Sequence, residues 1–199
     1  MKGYYFITDS SLSKRGNISD VKCALKCGVE FVQYREKNKS TQELLIEAKE
    51  LRELCKRVNF IVNDRVDIAL AVDADGLHLG QGDLDYKSAR RLLGKSKIIG
   101  VTVHNAKEAV LAQNYGADYL GVSPVFATGT KSDAGQPIGL AGIKEISKKV
   151  DIPIVAIGGV TLRNAPSVIA AGADAICAIS AVVAKQNVAG QIRKFQSLF

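Results

Sequence analysis

Eight short runs of β-branched, aromatic and small apolar residues recur along the chain, each followed by an amphipathic stretch. The strand candidates are residues 4–8, 31–35, 60–63, 76–79, 98–101, 119–122, 154–157 and 175–179. The helix candidates are residues 19–27, 41–58, 65–72, 86–93, 106–115, 140–150, 162–171 and 188–198. In the second of these, Leu44, Leu45, Ala48, Leu51, Leu54 and Cys55 keep helical spacing, with Glu and Lys between them. The strand candidates lack an apolar–polar alternation, as strands covered on both faces should. Several helices run into the next strand through a glycine, as in Cys27-Gly28-Val29, Gly116-Ala117-Asp118 and Gly172-Ala173-Asp174. Glycine suits the positive φ of a helix C-cap, and the last two form a faint internal repeat.

Eight strand–helix units in 199 residues leave about 25 residues per unit, compact for a parallel-sheet repeat. Such units close into a (β/α)8 TIM barrel, and the expected fold is a single-domain α/β barrel over residues 1–199. A doubly wound open sheet is the alternative. A barrel keeps its site at the C-terminal ends of its strands. Polar residues gather there.

The second run ends in Gln33-Tyr34-Arg35-Glu36-Lys37, where a period of two turns Gln33, Arg35 and Lys37 to one side. A salt-bridged rim with Glu36 is the structural alternative. The third ends in Asn63-Asp64-Arg65 and the fourth in His78-Leu79-Gly80-Gln81-Gly82-Asp83. Asp64 and Asp83 are two carboxylates on adjacent loops, a usual way to hold Mg2+ with water and substrate phosphate completing the shell. Each is equally suited to capping a helix, and His78 to a buried hydrogen-bonded role. The fifth run leads to Thr102-Val103-His104. After the sixth comes a polar, glycine-rich loop, residues 125–139, containing Thr128-Gly129-Thr130-Lys131. Two hydroxyls and a cation suit an anion, and so long a loop in a compact domain suggests a lid or binding loop. The seventh and eighth runs lead into Gly158-Gly159 and Ile179-Ser180-Ala181, the pair of loops that frequently forms the phosphate site of a barrel.

These motifs, in order and spacing, resemble the thiamine phosphate synthase family from Tyr5 to about Ser180. The family couples 4-amino-2-methyl-5-hydroxymethylpyrimidine diphosphate to a thiazole phosphate, giving thiamine phosphate and pyrophosphate. The resemblance implies that Gln33 binds the pyrimidine, with Thr102 nearby where the family usually has serine. Arg35, Lys37, Asn63 and Lys131 would hold the diphosphate, with Tyr34 and Glu36 in the same motif, and Asp64 and Asp83 would hold Mg2+. Thr128, Gly129, Thr130, Gly159, Ile179 and Ser180 would receive the thiazole phosphate, and Tyr5 and His78 would support the site. It implies a dissociative mechanism: pyrophosphate leaves, the aminopyrimidine stabilises a methylene cation, and the thiazole nitrogen captures it.

Two rivals are set against this reading. The related thiazole tautomerase carries a catalytic histidine where this chain has Ser123-Pro124. A non-catalytic phosphate-binding barrel has no need of a carboxylate pair beside its cations. The net charge of +7 lies largely in lysines beside glutamates on helices, without the aromatic interleaving of a nucleic-acid surface, so the expected partners are phosphorylated small molecules. A homo-oligomer is compatible with the sequence. No apolar run approaches the ~18 residues of a membrane helix, and Met1-Lys2-Gly3-Tyr4 passes into a β-like run with no signal-like segment. The four cysteines sit in apolar patterns and read as free thiols. The expected location is the cytoplasm.

Overall fold

Among the described residues every strand pairing is parallel. The computed structural model describes residues 1–130 and 135–199. Its strands are β1 (Gly3–Tyr4), β2 (Phe6–Ile7), β3 (Phe31–Tyr34), β4 (Asn59–Asn63), β5 (Gly76–Leu79), β6 (Ile98–Val103), β7 (Tyr119–Val122), β8 (Ile154–Ala156) and β9 (Ala175–Ile176). Each pairs with the next from β2 to β9, and β1 pairs with β9 through Gly3 opposite Ala175. The first expected strand is therefore one stave in two pieces, broken at Tyr5. Its first piece lies on β9 and its second on β3, which closes the sheet into a ring. The Tyr5 N–H still bonds to the Ile176 carbonyl, and the Thr8 N–H already bonds to Gln33.

Helices α1 (Asn17–Lys26), α2 (Thr41–Leu54), α3 (Val66–Ala71), α4 (Tyr86–Leu93), α5 (Ala106–Asn114), α6 (Gly139–Ser147), α7 (Ala165–Ala170), α8 (Ile179–Val182) and α9 (Val188–Gln196) connect the strands. Local chemistry sets their starts. Ser40 and Glu43 form a reciprocal capping box on α2, while Asp85 and Asn105 accept the N–H groups of Ser88 and Glu108. Several expected helices are shorter than their patterns, α2 and α7 among them. α2 stops at Leu54 instead of running to residue 58, and α7 starts at Ala165, beyond a turn in which the Thr161 carbonyl accepts from Asn164 and Ala165. The eighth strand ends at Ile176, and Ile179 opens the four-residue α8.

Two apolar bodies hold the ring. One fills the space between sheet and helices, from Phe6, Leu51 and Phe60 to Ile143 and Phe195. The other fills the barrel interior with Tyr5, Ile7, Tyr119, Val155, Ala175 and Cys177. The Gly-Ala-Asp repeat has a mechanical role in the first. Gly116 and Gly172 turn out of their helices at φ of 91° and 111°. The following aspartates then accept an N–H at the start of a neighbouring strand: Ile99 to Asp118 and Ile154 to Asp174, each at 2.8 Å. A third copy, Asp73-Ala74-Asp75, does the same for Phe60 at 2.8 Å, with Asp73 taking the glycine position at φ 50°.

Candidate active site

At the C-terminal ends of the strands lies an open cavity of about 820 Å³, within the usual range for a small-molecule site. On β3 the period of two holds: Gln33, Arg35 and Lys37 line the cavity. Tyr34 does not. Its ring points into the outer layer, where its hydroxyl donates to Glu47 on α2 at 2.7 Å, and burial with that bond raises its pKa. Glu36 reaches the cavity edge. Burial alone would raise its carboxyl, yet hydrogen bonds from Ser10, the Asn38 N–H and Asn17 hold it below its ordinary value. Beside β3, the loop after β2 contributes Asp9, a residue absent from the motif reading. Asp9 is 5% exposed and accepts from Arg35 Nη1 at 3.0 Å. Ser11 and the Leu12 N–H hold its other oxygen. The Thr8-Asp9-Ser10-Ser11 run at a strand end was its only sequence signal.

After β4, Asn63 and Asp64 reach the cavity. Asp64 stands in left-handed backbone at φ 59°, an uncommon conformation that aspartate tolerates better than most residues. Its carboxylate meets Lys37 Nζ. Neither expected helix-cap role is filled by this pair: Arg65 stands at the N-cap of α3 without a side-chain hydrogen bond, and Asp85 caps α4. Asp83 instead turns back on its own loop and accepts from the Gly80 N–H at 2.6 Å. Its carboxyl pKa is raised, first by burial and next by a hydrogen bond and charge from Asp64, with Lys37 pulling the other way. Asp64 and Asp83 thus line the same end of the cavity, with Lys37 beside them. Among the described residues no cluster of three or more Asp, Glu, His or Cys could hold a metal. The pair is an open donor set.

His78 and Thr102 line the cavity from β5 and β6. Across from the cations, Gly158 and Gly159 leave β8 at φ of 94° and 65°. They run against the loop after β7: Val125 N–H bonds to Ile157 O at 2.9 Å and Phe126 N–H to Gly158 O at 3.0 Å. A Cβ at Gly159 would lie 2.7 Å from the Ala127 carbonyl oxygen, so only glycine fits there. Ile179 and Ser180, at the start of α8, complete this wall, and Thr128 and Thr130 reach the cavity between the two sides. Gly129 is not part of the lining. Lys131 lies outside the described residues. Tyr5 sits one layer down in the barrel interior, where it accepts from Gln33 Nε2 at 3.0 Å. His104, also in the lining, holds the Ser123 carbonyl through Nδ1.

The arrangement has a cation-and-carboxylate wall on β3 to β5 and a glycine-and-hydroxyl wall after β7 to β9. It can accept two anionic groups facing each other across one space. Comparison with known proteins gives the same direction. A model of the thiamine monophosphate synthase family matches residues 4–182. The thiamine-phosphate synthase of Methanosarcina barkeri is 51% identical over 193 residues, covering 96% of this chain and 88% of that protein. That of Chloroflexus aurantiacus is 52% identical over 197 residues, covering 98% and 91%. Among solved structures, thiamine phosphate pyrophosphorylase from Pyrococcus furiosus superposes with a TM-score of 0.91 at 40% identity, covering 98% of this chain and 94% of that one. A barrel closed through a split first stave, with its strand-end residues facing one cavity and its sequence matched nearly end to end, belongs to the thiamine monophosphate synthase family.

Proposed function

We propose that the chain joins an aminopyrimidine bearing a diphosphate-activated methylene to a thiazole phosphate, releasing thiamine phosphate and pyrophosphate. The observation that carries this reading is the pair of opposed walls in one cavity. The methylene C–O bond to pyrophosphate breaks and a C–N bond to the thiazole nitrogen forms. The electron pair of the broken bond leaves with pyrophosphate, so the protein must meet growing negative charge on that group. Arg35 and Lys37 supply fixed cations for it, and Asp9 holds the Arg35 guanidinium in one orientation. Asn63 offers an amide beside them, and Lys131 adds a third cation in the same reading. Gln33 and Thr102 orient the pyrimidine. Thr128, Thr130, Gly159, Ile179 and Ser180 hold the thiazole phosphate opposite, where its ring nitrogen can reach the methylene. Two substrates filling the space between the walls displace water from beside the methylene cation.

Asp64 and Asp83 fit Mg2+: they are hard oxygen donors on adjacent loops, brought together at an electrostatic cost that a divalent cation would relieve. When bound there, Mg2+ supplies charge neutralisation for the diphosphate. Among the described residues no helix is long and apolar enough to cross a membrane. With Cys23, Cys27, Cys55 and Cys177 all free, the reading puts this enzyme in the reducing cytoplasm.

The test is a reconstituted assay. Purified protein is mixed with pyrimidine diphosphate, thiazole phosphate and Mg2+, and pyrophosphate and thiamine phosphate are followed together. The expected result is stoichiometric release that needs both substrates and metal. A folded protein that forms no thiamine phosphate sinks the reading.

A further inference from the structure

Beneath the cavity floor Gln33 and Thr102 are joined by a chain of polar side chains, Tyr5, Tyr119 and His78, to which the chemistry above gives no part. Gln33 Nε2 donates to the Tyr5 hydroxyl at 3.0 Å, and the Tyr5 and Tyr119 hydroxyls lie 2.7 Å apart. The Tyr119 hydroxyl is 2.9 Å from His78 Nδ1, and His78 Nε2 is 2.9 Å from Thr102 Oγ1. All five residues are buried, the most open being Thr102 at 9%. They come from five different staves of the barrel, and the two ends, Gln33 and Thr102, line the cavity.

Barrel interiors are ordinarily filled by branched aliphatic side chains. Here two strand positions are kept bare to admit the polar rings. A Cβ at Gly100 would lie 2.1 Å from Tyr119 Cζ, and one at Gly121 would lie 2.8 Å from His78 Cε1. A buried polar chain is favourable only when every member is satisfied, and this one runs unbroken between two groups of the site.

Such a chain has a direction. Gln33 gives a proton to Tyr5, so the single Tyr5 hydroxyl proton goes to Tyr119, and that of Tyr119 goes to His78 Nδ1. His78 then carries its proton on Nε2 and donates to Thr102. Burial raises the pKa of both tyrosines, which keeps their protons in place. What remains at the ends is complementary. Gln33 keeps its amide oxygen as an acceptor, and Thr102 keeps its hydroxyl proton as a donor.

We infer that Tyr5, Tyr119 and His78 are positioning residues that lock Gln33 as acceptor and Thr102 as donor, so that the site selects an amine beside a ring nitrogen and rejects the 4-oxo pyrimidine. The inference rests on the proposed function, since it takes an aminopyrimidine as substrate. A 4-oxo ring presents a carbonyl beside an N–H, the reverse pattern. Accepting it requires all five residues to reverse together, including the Gln33 amide and the His78 tautomer.

The experiment measures binding of the 4-amino and 4-oxo pyrimidine diphosphates by calorimetry, without thiazole phosphate, and kcat/KM for both with it. Wild-type protein is expected to favour the amino compound by at least roughly 100-fold, as sites built on buried hydrogen bonds do. Tyr119→Phe cuts the chain at its centre and should bring that ratio within about tenfold, with the KM for thiazole phosphate unchanged. Tyr5→Phe cuts it one step away, has the same expected result, and serves if the first variant does not fold. A purely structural role would weaken both compounds equally and leave the ratio where it was. A wild-type ratio near one overturns the inference without any variant, and so does a high ratio that survives both substitutions. Selective binding without thiamine phosphate formation would remove the proposed function and leave the selectivity standing.

Discussion

At the scale of single residues, the site depends on charges held by other charges. Arg35 faces the cavity because Asp9 takes one of its nitrogens at 3.0 Å in a nearly closed setting. Asp9→Ala should raise the KM for the pyrimidine diphosphate about tenfold, the equivalent of about 1.4 kcal/mol of lost orientation, with a smaller change for the thiazole phosphate. Steady-state kinetics with each substrate varied in turn checks this. Asp83→Asn is nearly isosteric and keeps an oxygen for the Gly80 N–H, so the fold should survive. Turnover at limiting Mg2+ should fall by roughly 100-fold or more, and a Mg2+ titration of kcat reads the loss directly. Unchanged activity would remove Asp83 from any metal site. Gln33, Arg35 and Lys37 were legible because strand periodicity alone puts them on one side. That same parity sends Tyr34 outward, although it sits inside the motif. Asp9 was hidden because its importance lies in a partner 26 positions away, on a neighbouring stave that no local pattern links to it.

At the scale of elements, the helix-to-strand joint is the repeated working part. Asp118 and Asp174 each satisfy an N–H at the start of an adjacent strand, a donor that the parallel ladder leaves open. Asp174→Ala should cost about 1 kcal/mol, seen as a lower denaturation midpoint with KM values unchanged. Gly159→Ala acts differently. Forcing an L side chain into φ 65° against the Ala127 carbonyl costs about 1–2 kcal/mol or more, and it pushes the two loops of the glycine wall apart. Melting temperature should fall, and the KM for thiazole phosphate should rise while that for the pyrimidine diphosphate stays. The Gly-Ala-Asp copies were readable as a repeat because both begin with glycine. The third is not legible in the sequence because Asp73 stands in the left-handed position, and composition gives no sign that an aspartate fills a glycine's place. Helix ends are not legible where an apolar pattern continues past a turn, as it does after Leu54.

At the scale of the whole molecule, eight strand–helix units were enough to announce a closed barrel and the end at which its site lies. How the ring closes was not visible. A run such as residues 4–8 reads as one strand, and only the geometry of closure divides it at Tyr5 between two neighbours. The net charge of +7 belongs to this scale too. Its field should draw anionic substrates towards the cavity, so kcat/KM should decline as salt is raised from low to about 0.3 M, where the Debye length falls below ~8 Å. A rate insensitive to ionic strength would show that only the local cations matter.

The divided first stave also sets an order of events during synthesis. β1 waits for β9, since Gly3 pairs with Ala175, and on the ribosome that partner emerges only after almost everything between them. Until then the growing sheet has two raw edges, one at each end of an unclosed ribbon, and unpaired edges invite pairing with other chains. A nascent chain arrested before residue 175 should therefore be protease-sensitive at its N-terminal segment, and release of the last 25 residues should protect both ends at once.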